Sequence, residues 1–464
     1  MERDAASRPR VHLPVLDHAS SLGSDGRRVR VVPADVSGRF ILARRIGFVA
    51  LLALGLALPL VRIDGRPALF FDIPARLFFV FGQAFNAQDA PLVFFVLSGL
   101  GFGLLVLTAV LGRVWCGWAC PQTVLLEGLF RPIERLIEGP RNVKLRRDAG
   151  PRTLDRVART VGKHAAFAIV ALALANLFVA YFVSMPSLET MIADGPLAHP
   201  AAFGWTACIG LALYLHGAWF REQLCLIVCP YGRLQSVLTD DDSLVVGYDL
   251  SRGEPRGRGK DREGLGSCVD CNRCVVVCPT GIDIRHGLQV DCIGCTQCID
   301  ACDEVMDKLQ KPRGLIRYDS LRGLRGEARR FFRPRLALYG VLGIVGLVVL
   351  GLAVRGHRAF EANILRVPGA PFVVDGDVVR NTFEIHLVNK QDHPVSMDVT
   401  VRDLAAGAEV DVGSHFELAA LESRLTMLIV RVPRDGFVPG THVAVRVSSE
   451  GSAIDLSAPV LGPD

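Results

Sequence analysis

Cys268-Val-Asp-Cys271-Asn-Arg-Cys274-Val-Val-Val-Cys278-Pro279, followed after a short gap by Cys292-Ile-Gly-Cys295-Thr-Gln-Cys298-Ile-Asp-Ala-Cys302, is the stretch that decides the fold. Each half reads C-x2-C-x2-C-x3-C. Three closely spaced thiolates can grip three corners of one iron–sulfur cube, and in this spacing the fourth cysteine ligates the neighbouring cube. The expected assignment is therefore crossed. Cys268, Cys271, Cys274 and Cys302 would hold one [4Fe–4S] cluster, and Cys278, Cys292, Cys295 and Cys298 the other. Gly281 and Gly294 leave the backbone free to turn tightly around them. Asp303 stands where the first half has Pro279, a departure that removes no ligand. Two zinc sites would also use eight cysteines, but zinc ligands usually come as separated C-x2-C pairs.

The rest of the chain places this insert in a membrane protein. The sequence has 464 residues, is 50% hydrophobic and only 21% charged, with a mean hydropathy of +0.34. The apolar excess gathers in five runs, at about 41–62, 91–111, 164–184, 202–220 and 336–354, each near the ~20 residues that cross a bilayer. Lys and Arg crowd the segments 112–163 and 221–335. The loop 185–201 has neither, and 63–90 has only Arg66 and Arg76. By the positive-inside rule the N-terminus and the cysteine-rich insert are cytoplasmic, and the two short loops and the C-terminal region lie outside. The net charge of +5 is mild, and no motif points to nucleic acid. Membrane lipid is the expected surface partner. Residues 68–82 are apolar but broken by Asp72, Pro74 and Arg76, which suggests an interfacial or re-entrant segment with Asp72 and Arg76 paired.

Thirteen cysteines, none before Cys116 and none after Cys302, argue for metal or redox chemistry rather than a disulfide scaffold. Four of the remaining five form a weak repeat. Cys116-Gly-Trp-Ala-Cys120-Pro121 closes the second apolar run, and Cys225-Leu-Ile-Val-Cys229-Pro230 follows the fourth. Each C-x3-C-P would present two thiols from one helix face, with proline starting the next helix. The two pairs could bind a soft metal, form redox-active disulfides, or simply pack as small hydrophobes. Cys208 reads as core packing. His164, His199 and His216 read as interfacial, and Met185, Glu189, Met191 and His199 as ordinary loop. Trp115, Trp118, Trp205 and Trp219 fit an aromatic belt.

The expected organisation is multi-domain. A flexible cytoplasmic tail (1–38) leads into a four-span α-helical membrane bundle carrying both C-x3-C-P motifs (39–240). A ferredoxin-like two-cluster insert (241–335) and a fifth span (336–356) follow. Alternating segments such as Phe383-Glu-Ile-His-Leu-Val then predict a C-terminal all-β immunoglobulin-like sandwich (357–464).

Trp115-Cys-Gly-Trp-Ala-Cys-Pro-Gln-Thr-Val124, Asp72-Ile-Pro-Ala-Arg76, the run Cys292 to Asp307 and Gly314-Leu-Ile-Arg-Tyr318 together resemble the cytochrome c oxidase accessory proteins of the FixG/CcoG type. The resemblance covers nearly the whole chain beyond the tail. It implies a bacterial inner-membrane protein with two [4Fe–4S] clusters and a periplasmic C-terminal domain. It also implies electron delivery that reduces Cu(II) to Cu(I) for a cbb-type oxidase, with copper chaperones and the oxidase assembly machinery as partners. The activity implied is a cupric reductase fed by a cytoplasmic electron donor, with Cys116, Cys120, Cys225 and Cys229 as the candidate redox or copper thiols. Two other readings stand beside it: a respiratory subunit linked to quinol or a periplasmic reductase, and a non-enzymatic assembly factor.

Overall fold

The computed structural model describes residues 30–463 except 64, 75–76, 87–88, 259–262, 331–332, 356–359, 392 and 403–406. Residues 1–29 of the expected tail, and Arg76 of the expected Asp72–Arg76 pair, lie outside the described residues. By contacts the chain forms two compact units, Met1–Phe70 with Phe95–Leu347, and Phe71–Phe94 with Val348–Asp464.

In the first unit the apolar runs become long helices. These are α1 (Arg39–Ala57), α2 (Ala90–Leu111, which continues from the second unit), α3 (Leu154–Val183) and α4 (Pro200–Leu215, extended by a π turn to Phe220). Helix α3 starts at Leu154, well before the apolar run. Thr153 caps it by accepting from Arg156 N, so a polar turn carries the helix into the apolar stretch. A hydropathy window cannot register that extension. Most residues on these helices face outward, as spans do when lipid covers them. With a later helix, five among the described residues are long and apolar enough to cross a membrane, and the chain is a multi-pass membrane protein. Cys208 is exposed on α4 rather than packed in a core, because lipid-facing positions in such a helix need no inner neighbour.

The insert sits between β4 (Val245–Tyr248) and β5 (Ile316–Asp319), which pair antiparallel with Tyr248 opposite Ile316. Between them runs helix α5 (Gln297–Lys308). The insert's core is built around the cysteines themselves, with Tyr248, Ile282, Ile299, Met306, Leu315 and Ile316 filling the space. Segment 30–38, expected as part of a flexible tail, lies against this insert. Ala34 N donates to Val276 O at 2.9 Å, and Ala34 and Val36 pack on Val277 and Ala301. Arg273 Nη2 also donates to Asp35 O at 2.8 Å, so apolar packing and a polar contact together hold the segment on the insert.

The fifth long helix, α6, covers Pro334–Arg355. Beyond it the second unit holds two antiparallel sheets. One runs 409–411, 423–433, 378–389, 360–366, with 373–375 beside 378–389. The other runs 415–418, 395–402, 442–449, 452–459. Strand Val378–Asn389 alternates half-buried and buried residues, the period of a sheet with one face inward. Phe383, Ile385, Leu387, Met397 and Val445 close the core, each worth roughly 1.5–3 kcal/mol of burial. Residues 71–94, expected within the four-span domain, group with this sandwich instead. Lys390 Nζ, itself buried, reaches Asp89 Oδ1 at 2.7 Å and Glu361 Oε2 at 2.8 Å, and a buried pair of this kind is costly to break. The expected re-entrant stretch forms strands β1 (Leu69–Asp72), β2 (Leu77–Val80) and β3 (Gln83–Asn86). Its phenylalanines suit a pleated surface, and Phe71 meets Phe78 at 6.0 Å.

Candidate redox centre

Each half of the insert turns its backbone the same way. Asp270 and Asn272 take positive φ, and so do Gly294 and Thr296 at the matching positions. Such alternation points successive N–H groups into one concavity, the arrangement common to anion and iron–sulfur sites. Thr296 is β-branched, so φ 65° is a strained choice. Its hydroxyl donates to Cys295 O at 2.6 Å. Gly281 and Gly294 both have positive φ.

Two cavities follow from this pseudo-symmetry. One is lined by Cys268, Cys271, Cys274 and Cys302, beneath Tyr248 and Met306. The other is lined by Cys278, Cys292, Cys295 and Cys298, with Cys274 on its near wall. None of the eight is in a disulfide, and Cys271 alone among them is exposed. Burial pushes Cys274, Cys295 and Cys302 up to about 12. A thiolate in either cavity therefore needs a strongly cationic partner, which iron ions supply. Among the described residues no three of His, Cys, Asp and Glu are grouped to hold a single metal ion. Zinc would draw its thiolates to about 3.8 Å from one another at Zn–S bonds of ~2.3 Å. Two quartets in the spacing of a two-cluster ferredoxin suit a polynuclear cluster instead.

The surroundings of the cavities differ. At the first, Arg285 is neutralised by Asp283 (2.6 Å) and Asp270 (2.7 Å), and Asp303 acts on Cys302. The second is pressed onto the first C-x3-C-P turn. Gly117 is buried there, and a Cβ on it would stand 2.6 Å from Gly294 O and 2.8 Å from Ile293 O. Tyr318 Oη donates to Gly294 O at 2.8 Å, and Trp118 Nε1 donates to Tyr318 Oη at 3.1 Å. Trp118 thus serves the insert and not the lipid belt, whereas Trp205 and Trp219 are exposed near opposite ends of the fourth span. Arg113 Nη1 donates to Cys292 O at 2.9 Å.

Neither C-x3-C-P pair lies on one continuous α-helix. Cys116 sits in the turn Val114–Trp118, and Cys120 is the N-cap of Pro121–Leu125. Cys225 sits in the π turn Leu224–Val228, and Cys229 is the N-cap of Pro230–Leu238. Proline opens both following helices, because its missing N–H is not needed there. The pairs converge across the repeat. Gln235 Nε2 of the second copy reaches Cys116 Sγ at 3.0 Å, and Cys225 Sγ of the second copy donates to Gln122 Oε1 of the first. Burial raises Cys116 to about 11 and Cys225 to about 12, and the other thiols of the group raise them further.

Beneath the pairs runs a buried chain of charges. Glu127 contacts Arg131 (2.5 Å), and Arg131 approaches Glu222 (3.5 Å). Arg221 meets Glu134 (2.8 Å), and Lys163 meets Glu138 (2.7 Å). Lys144 bridges Glu134 and Glu138. Burial works against the charge on Glu127, but Arg131 and Arg44 overcome it and hold the carboxyl below its ordinary range. The network ties the segment after the first motif to the residues just before the second.

The candidate histidines do not join these thiols. His164 bonds Tyr214 Oη at 3.0 Å, and His199 bonds Asp194 at 3.1 Å. Met185 packs on Val179, Ala180 and Leu188. The sequence pattern missed Arg44, Arg113, Gln122 and Gln235. Their only signal is position: Gln122 and Gln235 lie in the helices that follow the motifs, Arg113 just before the first motif and Arg44 near the start of the first span.

Three family profiles match the chain. A 4Fe-4S binding domain covers residues 92–140, a 4Fe-4S dicluster domain covers 220–321, and an IG-like fold at the C-terminal of FixG covers 350–458. The chain is 36% identical over 431 residues to the nitrogen fixation protein FixG of Rhizobium meliloti, covering 82% of this chain and 80% of that one. It is 35% identical over 438 residues to protein RdxA of Cereibacter sphaeroides, at 89% and 91% coverage. The ferredoxin-type protein NapH of Haemophilus influenzae is 27% identical over 292 residues, covering 59% of this chain and 90% of its own.

Proposed function

The chain belongs to the FixG family of membrane iron–sulfur electron-transfer proteins, and from that premise we propose that it delivers single electrons to Cu(II) at the inner edge of the membrane. The Cu(I) formed would serve maturation of a cbb-type cytochrome c oxidase. Cys268, Cys271, Cys274 and Cys302 hold one [4Fe–4S] cluster in this reading, and Cys278, Cys292, Cys295 and Cys298 the other. When bound, the clusters supply one-electron storage and transfer. Cys116, Cys120, Cys225 and Cys229 take copper, since soft thiols favour Cu(I). Each Cu(II) gains one electron, which a soluble one-electron donor on the cytoplasmic side replaces.

The observation that carries the reading is the seat of Gly117 on Ile293 and Gly294. It puts the first C-x3-C-P turn directly against the loop between Cys292 and Cys295, so the two thiol systems share a wall. The exposed Cys271 marks the opposite end of the route, where a donor could approach. The Arg- and Lys-rich segments 112–163 and 221–335 support a cytoplasmic insert, which puts the sandwich outside, free to meet a copper chaperone or the oxidase assembly machinery.

The test is anaerobic electron paramagnetic resonance of the purified, dithionite-reduced protein with stoichiometric Cu(II) added. The expected result is loss of the reduced-cluster signal together with loss of the Cu(II) signal. Reduced clusters that persist beside unreacted Cu(II) would remove copper as the direct acceptor and bring the quinol-linked and purely structural readings forward.

A further inference from the structure

Arg44 is an arginine inside a membrane helix. It is 1% exposed on α1, and its guanidinium stacks over Phe48 at 5.1 Å. Nε donates to Gly117 O at 2.9 Å, in the middle of the first C-x3-C-P turn. Nη2 is buried and has no hydrogen-bond partner, and among the described residues no carboxylate pairs with this side chain. Holding a buried guanidinium without a full counter-charge is costly. The buried carboxylate of Glu127 feels this charge, but it is already held by Arg131 at 2.5 Å, so the guanidinium is only partly compensated. Through Gly117 it stands behind the wall of the second cavity, where that glycine is seated on Ile293 and Gly294, the two residues between Cys292 and Cys295.

The first cavity shows the contrast. Its cation, Arg285, already has two carboxylates, Asp283 and Asp270. Arg44 has no such pair of its own: the carboxylate it acts on, Glu127, is shared with Arg131. A thiolate-ligated cluster is anionic and gains one further negative charge when reduced, and its potential responds to nearby charge and hydrogen bonds.

We infer that Arg44 is a positioning residue for the second cluster: the guanidinium balances the charge of the group held by Cys278, Cys292, Cys295 and Cys298, raises its reduction potential above that of the first cluster, and through Nε locks it to the turn that carries Cys116 and Cys120. The inference rests on the ligand assignment proposed above. Its effect is direction: an electron entering at the Cys271 side is drawn toward the membrane thiols.

The experiment is an anaerobic redox titration of the full-length protein, followed by electron paramagnetic resonance, with iron and sulfide analysis of every sample. Wild type should hold two clusters with separated midpoints. R44Q should keep both clusters while one midpoint falls by at least tenfold in its reduction equilibrium, about 59 mV for one electron, and the other stays put. R44K, which keeps the charge, should recover most of that shift. Full loading of R44Q with both midpoints unmoved overturns the role of Arg44. A loaded R44K shifted as far as R44Q overturns the charge argument, as does loss of the second cluster in both variants. Wild-type protein without two clusters overturns the ligand assignment itself, a separate failure.

Discussion

The two cavities of the insert have the same cysteine spacing and the same pair of left-handed residues, yet they sit in opposite surroundings. The first keeps one thiol, Cys271, at the surface, and its arginine is spent on two aspartates. The second has no exposed cysteine. It is walled by the C-x3-C-P turn and faced by Arg44 and Arg113. The repeat sets ligand geometry, and the chain outside the repeat sets what each site is good for. Under the proposed function, the first cavity would exchange electrons with a soluble donor and the second with the thiols of the C-x3-C-P turns.

Serine replacements should break this symmetry most sharply. C295S is expected to halve the iron content and to abolish Cu(II) reduction even with dithionite as donor. C271S should also lose one cluster, but dithionite, small enough to bypass the entry point, should still drive Cu(II) reduction at a substantial rate. Equal loss of activity in the two variants, each with its remaining cluster verified by iron analysis, would contradict the division into entry and exit.

The membrane thiols next to the second cavity should be far less reactive than ordinary cysteines. In copper-free protein Cys116 has a pKa raised from 9.0 to about 11, chiefly by burial. Only the thiolate attacks an alkylating agent, so at pH 8 modification of Cys116 should run about 100-fold slower than in the unfolded chain. Its rate should climb about tenfold per pH unit until near pH 11. The sign for stability follows. The folded pKa lies above the unfolded one, so the contribution is intact below pH 9 and is lost as pH rises from 9 toward 11. Peptide-resolved alkylation by mass spectrometry reads the profile, and a midpoint near 9 would show a wet, open site instead.

Gly117→Ala tests the wall between the two systems. The added Cβ meets backbone oxygen at 2.6 and 2.8 Å, and backbone on both sides leaves little room to yield. Overpacking of this kind costs about 1–3 kcal/mol. Cu(II) reduction should slow about tenfold if that energy goes into parting the surfaces. Gly99→Ala, with nothing within 4 Å, is the matched control and should change neither rate nor melting temperature.

Much of this architecture was legible in the sequence, for a physical reason. Cluster ligation depends on spacings of two and three residues, and a span depends on about twenty apolar residues, so both are local patterns. What escaped depends on contacts between distant segments. Arg44 reads as one more positive charge at the start of a span, and only the fold shows it turned inward to Gly117. The docking of residues 30–38 rests on Ala34 and Val36 meeting a helix more than two hundred positions away. Residues 71–94 join the sandwich through Asp89 and Lys390, a pairing that neither residue type announces. The break in each C-x3-C-P helix escaped because the i, i+4 spacing of its cysteines fits an unbroken helix equally well.

The smallest expected effect lies where the insert meets the first span. Helix α1 begins at Gly38, which has no side chain to cap it. Asp300, from α5 of the insert, supplies the cap: its carboxylate accepts from Ile41 N at 2.8 Å and Phe40 N at 3.3 Å. The negative charge also faces the positive end of the helix dipole. Asp300→Asn keeps a carbonyl acceptor but removes the charge and one of the two oxygens. The cost should be about 0.5–1 kcal/mol, visible as a drop of a few degrees in the first unit's unfolding transition. The sandwich transition should not move, because Asp300 has no part in that unit. If Asp300→Asn instead shifted the midpoint of the second cluster as far as Arg44→Gln does, α1 would be transmitting the cap's position to the guanidinium. The contrast between the cavities would then depend on how the helix is seated as well as on the charge it carries.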